Sequence, residues 1–204
     1  MIKIGILAPG NSDEIIDSLV NMLKKCKKMV AVKQNSRRIN NDIRLYEKTG
    51  IEYVFIEFGN KRIYPVDIDI MILDNARNDN IVSYDLIKCI SDNTVLIYNT
   101  DSGYLPYIDH PNAIDYGFGI NSCVGISSIS YSDNKISVIV SIQRPFIGLF
   151  FNKIDVCEFS VEVFAINKTV NIIPGIIILL LCDLFSCSNV KFSINSCVQE
   201  YNSL

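Results

Sequence analysis

MIKIGILAPGNSDE, residues 1–14, sets the fold. A short apolar strand runs into a tight Pro9-Gly10 turn. An amphipathic helix follows, with Ile15, Ile16, Leu19, Val20, Leu23 and Cys26 on one face. Strand, turn and helix in that order open a phosphate-binding unit. Such a unit holds anionic oxygens with backbone N–H groups, a helix N-terminus and a lysine. Its pattern is GxxxxGK[ST]. Here Ser12 and Asp13 stand where the lysine and the hydroxyl residue are expected. Asp13 and Glu14 place anions in the first helical turn, where they complement the helix dipole and repel a triphosphate.

Outward from this unit, apolar runs alternate with helical ones. Residues 29–33 (MVAVK) read as a second strand, and a polar helix over 36–48 stops at Gly50. The runs IEYVFIEF (51–58), DIDIMILD (67–74) and TVLIYN (94–99) suit central strands of a parallel sheet covered on both faces. A helix is expected over 81–91. This alternation predicts a mostly parallel, doubly wound α/β sheet with right-handed crossovers. After residue 112 the pattern changes. AIDYGFG, CVGISSISY, KISVIVSIQ and residues 154–164 alternate like antiparallel strands, with a hairpin turn at Ser132-Asp133-Asn134. They predict a small antiparallel sheet beside the main one. A last helix is expected over 168–185, followed by a weakly patterned tail.

The chain has 204 residues, 49% of them hydrophobic, enough for one domain with a full core. Net charge is −3 with a pI near 5.2, which points away from nucleic acid and anionic membranes. Seven scattered cysteines form no CxxC pair and read as reduced thiols of a cytoplasmic protein. The first residues read as a strand, so no leader is expected. The longest apolar run, Ile172 to Leu181, falls short of the ~20 residues that span a bilayer.

Taken together, these segments resemble the central ATPase domain of the Mur ligase superfamily over about residues 2–185. GILAPGNSDEI (5–15) is similar to the family's IGVTGTNGKTT strand and loop. Glu57, in VFIEFG, sits where the family has an acidic magnesium ligand. Asn75 to Asn80 resembles the NxxxDH signature, with Asp79 retained and Asn80 in place of the histidine. IYNTDSGYLP (97–106) and AIDYGFG resemble the VNADDxxL and ITYGF segments. Asn167-Lys168-Thr169-Val170-Asn171 lies where the family has HNxxN, and only Asn171 matches.

The resemblance implies a P-loop NTPase-like topology in one domain. Its parallel α/β part covers about 1–111, its antiparallel part about 112–165, and a helix at about 166–185 returns to the main sheet. It implies a nucleotide pocket at Gly10, Asn11, Ser12, Asp13, Lys168 and Asn171, and metal ligands at Glu57, Asp79 and Asn80. ATP and magnesium are the implied cofactors. Both are weakened here, since a lost lysine removes a charge-assisted hydrogen bond of about 1.5–3 kcal/mol. The family's carbamylated lysine has no counterpart beyond Lys88, whose surroundings differ. The resemblance is to the central domain alone, so the expectation is a chain without the family's acceptor-substrate domain and its closing carboxy-terminal domain.

The expectation is therefore a non-catalytic binding or scaffolding protein derived from an ATP-dependent Mur-type ligase, with no catalytic residue and a protein or a second copy as partner. Two rivals stand beside it: an amide ligase subunit completed by a partner chain, and a small-molecule sensor using the crevice at the strand ends. Ser12 or Asp13 is expected to bond the N–H groups of the helix start in place of phosphate. Outside the resemblance, Glu57 reads as a solvent-facing carboxylate, and Asp79 and Asp101 as turn residues. His110, the only histidine, reads as a loop residue. Arg144 reads as a surface residue before a proline-driven turn.

Overall fold

The computed structural model describes residues 1–23, 30–59, 63–74, 86, 89–101, 110–132, 135–164, 172–184 and 190–194. The chain begins with β1 (Ile2–Leu7), α1 (Ser12–Leu23), β2 (Val30–Gln34), α2 (Ile39–Lys48), β3 (Tyr53–Glu57), β4 (Ile70–Leu73), β5 (Val95–Asn99) and β6 (Ala113–Gly117). It continues with β7 (Val124–Ser132), β8 (Lys135–Ile142), β9 (Phe146–Ile147), β10 (Lys153–Ile154), β11 (Cys157–Phe164), α3 (Ile173–Leu181) and β12 (Val190–Ile194). One ten-stranded sheet has the order β12-β11-β8-β7-β6-β5-β4-β1-β3-β2, and β9 and β10 form a separate two-stranded ribbon.

From β2 to β7 every neighbouring pair is parallel. Period-two alternation divides these strands between two cores. Ile4, Ile6, Phe55, Ile70, Ile72 and Ile97 pack against Ile15, Leu19 and Met22 of α1 and against α3. Leu7, Val54, Ile56, Met71, Leu73 and Leu96 pack against Ile39 and Ile43 of α2 and the segment Ile63–Ile68. Burial on both faces explains why these strands read as continuous apolar runs.

The antiparallel strands are present, but they do not form a second layer. β7 joins β6 in parallel through Tyr116↔Val124 and Gly117↔Gly125, then pairs antiparallel with β8. The sheet continues through β11 to β12. The expected 154–164 strand divides into β10 and β11, and the tail carries a strand at Val190–Ile194 that its pattern did not announce. The hairpin between β7 and β8 is confirmed by the register Ser132↔Lys135. α2 starts three residues later than expected, because Asn35 is tied to the 63–68 segment. Its Nδ2 donates to the Tyr64 carbonyl at 2.9 Å, and its Oδ1 accepts from the Tyr64 N–H at 2.7 Å. The expected helix over 81–91 lies largely outside the described residues, as does the whole cationic end of the first helix, Lys24 to Lys28.

Candidate functional site at the carboxyl ends of the parallel strands

Parallel strands with helical crossovers leave a crevice at their carboxyl ends. Here that edge carries Leu7, Glu57, Asp74, Asn99 and Gly117, each the last residue of its strand or the one after it. The loop after β1 is compact. The Asn11 N–H donates to the Ala8 carbonyl at 2.8 Å, and the Ile15 N–H donates to the Asn11 carbonyl at 3.0 Å. Gly10 adopts φ +84°, which a side chain rarely tolerates and which lets the chain turn into α1.

Ser12 does not bond the helix-start N–H groups as expected. Its hydroxyl donates to Glu57 Oε1 at 2.6 Å, across 45 residues of sequence. The reason is register. β1 and β3 are neighbours with Ile6 opposite Glu57, so the β3 carboxylate stands beside the helix start and takes the hydroxyl in a charge-assisted bond. Gln34 Nε2 reaches the other Glu57 oxygen at 3.4 Å. Asp13 is exposed in the first turn of α1. The structure thus brings Gly10, Asn11, Ser12, Asp13 and Glu57 to one edge. Asp79, Asn80, Lys168 and Asn171 lie outside the described residues. Among the described residues, no group of three or more His, Cys, Asp or Glu side chains is arranged to hold a metal ion.

A polar network that sequence reading did not single out continues along the same edge. Asp74 is buried, and its N–H donates to the Leu7 carbonyl at 3.0 Å, so it lies directly beside the loop. Asn99 Nδ2 donates to Asp74 Oδ1 at 2.7 Å, and Asn99 Oδ1 accepts the Asp101 N–H at 2.9 Å. Asp101 Oδ2 accepts the Phe118 N–H at 2.8 Å. The Thr100 hydroxyl donates to the Tyr116 carbonyl at 3.0 Å and lies 3.0 Å from the Ser122 hydroxyl, which therefore donates to it. Burial, and next the charge of neighbouring Asp74, hold the Tyr116 phenol well above its ordinary range. Gly117 makes the close approach possible. A Cβ there would stand 2.4 Å from Thr100 Oγ1 and 2.8 Å from Asp101 Oδ1. The available signals were Asp74, a carboxylate closing the apolar run DIDIMILD, and the glycine in AIDYGFG.

The remaining candidates have structural roles. His110 bridges two loops before β5 and β6, with Nε2 3.0 Å from the Ser91 carbonyl and Nδ1 accepting the Asn112 N–H at 3.2 Å. That places it at the amino ends of the strands, opposite the crevice. Arg144 is not a free surface cation but pairs with the buried Asp115 of β6. The described cysteines Cys89, Cys123, Cys157 and Cys182 are free thiols. No helix among the described residues is long and apolar enough to cross a membrane.

A MurF ligase from Thermotoga maritima, solved in complex with ADP, superposes on this frame with a TM-score of 0.51. The chain shares its fold with a Mur ligase. The match covers 91% of this chain and 45% of the MurF ligase chain, at 13% sequence identity. No protein-family model matches the sequence, and no curated protein does. The likeness is one of frame, which carries the crevice at the carboxyl ends of the strands.

Proposed function

We propose that this chain is a non-catalytic binding module on a Mur-ligase-like frame, whose loop after β1 is degenerate and does not take a triphosphate. One observation carries the reading: the side chain in the lysine's place, Ser12, commits its hydroxyl to Glu57 at 2.6 Å. Phosphoryl transfer rests on positioning and on neutralising charge. Residues 8–14 contain no cation, and Asp13, Glu14 and Glu57 add anions. The donor set does not fit a nucleotide triphosphate, and no step through ATP follows from it. Its partner is a protein, and its setting the cytoplasm.

Calorimetric titration with ATP, with and without magnesium, tests this. No heat of binding at millimolar ATP is the expected result. Micromolar, magnesium-dependent binding would overturn it and bring forward the second reading, an amide ligase subunit completed by a partner chain. What favours that second reading is the ADP named with the MurF ligase of the same fold.

A further inference from the structure

Period two sorts the strand ends by face. Ile72, Ile97, Ile114 and Tyr116 all lie in the core that packs against α1 and α3. Asp74 and Asn99 come two residues after Ile72 and Ile97, so they stand on that same face. Register lines them up. Ile72 is opposite Ile97, and Asn99 is opposite Tyr116, so Asp74, Asn99 and Tyr116 form one row across β4, β5 and β6. Asp101 closes the row. Its carboxylate oxygens would stand 2.8 and 2.9 Å from a Cβ on Gly117, and one of them is held by the Phe118 N–H.

One group in this row is unsatisfied. Tyr116 is 3% exposed, yet its hydroxyl has no hydrogen-bond partner among the described residues. A buried phenol ordinarily finds one. The hydroxyl is directed at the carboxylates, since the charges of Asp74 and Asp101 both bear on it. A group placed among them and bonding to all would satisfy it. The field fixes the sign of that group. Among the described residues of this edge, 8–14, 57–59, 74, 99–101 and 117–123, there is no cation. Arg144 is committed to Asp115, which alternation turns to the other face of β6.

We infer that the row at the ends of β4, β5 and β6 binds the primary ammonium group of a small organic amine. Asp74 and Asp101 supply the opposing charge, and the Tyr116 hydroxyl accepts one N–H. A magnesium ion suits the row less well. It requires six oxygens in strict geometry, and no group of three His, Cys, Asp or Glu among the described residues is arranged for a metal. The carbon body of the amine has apolar surface at hand. Phe118 and Ile120, 56% and 86% exposed, follow on the loop that Asp101 holds, and an aromatic face also attracts a cation.

Calorimetric titration of the full chain with butane-1,4-diammonium at low salt tests this. A Kd of about 1 mM or tighter is expected. Tetramethylammonium carries the charge without an N–H and is expected to bind about tenfold more weakly. Tyr116→Phe removes only the hydroxyl, which makes no bond in the free protein. The thermal midpoint is therefore expected to hold while diammonium affinity falls by about fivefold. Asp101→Asn keeps an oxygen for the Phe118 N–H, removes one charge, and is expected to cost about tenfold in affinity. No heat at millimolar diammonium overturns the inference. So does tetramethylammonium binding equally well, affinity indifferent to both variants, or displacement of the diammonium by equimolar magnesium. None of these residues belongs to the loop after β1, so this test and the ATP titration fail independently.

Discussion

Replacing Ser12 with alanine removes the contact on which the reading of the loop rests. Hydrogen bonds to charged groups contribute about 1.5–3 kcal/mol. Ser12 and Glu57 are both half-buried, so solvent screens the bond and the lower end applies. After the substitution the Glu57 carboxylate keeps water and Gln34, whose Nε2 lies 3.4 Å from its second oxygen. That partial replacement lowers the net cost of Ser12→Ala to about 1 kcal/mol. For a chain of this size such a loss lowers the thermal midpoint by roughly 2–4 °C.

A stability change alone does not identify the partner, so the assay is a double-mutant cycle. Urea unfolding of the wild type, Ser12→Ala, Glu57→Ala and the double variant gives the coupling between the two side chains. The expected coupling is about 1 kcal/mol, because each single variant already loses the bond that the other would lose. A coupling below about 0.3 kcal/mol, the usual scatter of independent sites, refutes the claim that the Ser12 hydroxyl is committed to Glu57. ATP affinity adds a second reading. Ser12→Ala frees the loop but leaves Asp13, Glu14 and Glu57 in place, so affinity is expected to stay negligible.

Two further predictions come from the site edge and from the buried thiols. Gly117→Ala puts a Cβ 2.4 Å from Thr100 Oγ1, so the loop after β5 must shift and strain its bonds to Tyr116 and Ser122. A loss of about 2 kcal/mol in urea unfolding is expected, and a neutral result would show that the loop gives way freely. Burial pushes the Cys123 thiol up to about 11 and the Cys182 thiol up to about 12, both from 9.0. The folded state therefore keeps protons that the unfolded chain releases. This contribution is fully present below pH 9 and is lost as pH rises through 11 to 12, on the order of 1 kcal/mol per unit after allowance for partial exposure. A urea midpoint constant from about pH 8 to 10.5 would contradict it.

The parallel strands were legible because burial on both faces leaves a plain mark, a run of apolar residues with no polar alternation. The joining of the two sheet parts was not. It depends on two residue pairs between β6 and β7, and no composition or period records which strand ends meet. β12 is five residues long and makes only one strand pairing, so its signal was short and lacked context. Site legibility divides in the same way. The placing of Glu57 and the loop at 10–13 at one edge was legible through motif order, which fixes where groups stand along strands. The Ser12–Glu57 bond was missed, since it depends on the lateral register of strands far apart in sequence. Asp74 was read as the end of a strand. Its role follows only from lying beside Leu7 on one flank and receiving Asn99 on the other.

Frame and chemistry are carried by different residues here, and this bears on what fold likeness can decide. The crevice follows from strand order, crossovers and apolar packing, which tolerate extensive substitution as long as pattern and volume are kept. That explains how the same frame is recognisable at 13% identity to a MurF ligase. Triphosphate binding depends on a few side chains at single positions, and one substitution there reverses the sign of the local field. The frame can therefore persist while the chemistry changes. For this chain, binding at the crevice would fall to the groups at the carboxyl edge of the sheet. Those described are the Ser12 hydroxyl, the carboxylates of Asp13 and Glu57, and the Asp74–Asn99–Asp101 network. These described groups are acidic and hydrogen-bonding, so a titration series that orders ligands by charge is expected to favour neutral or cationic ones, and a preference for anions would refute that expectation.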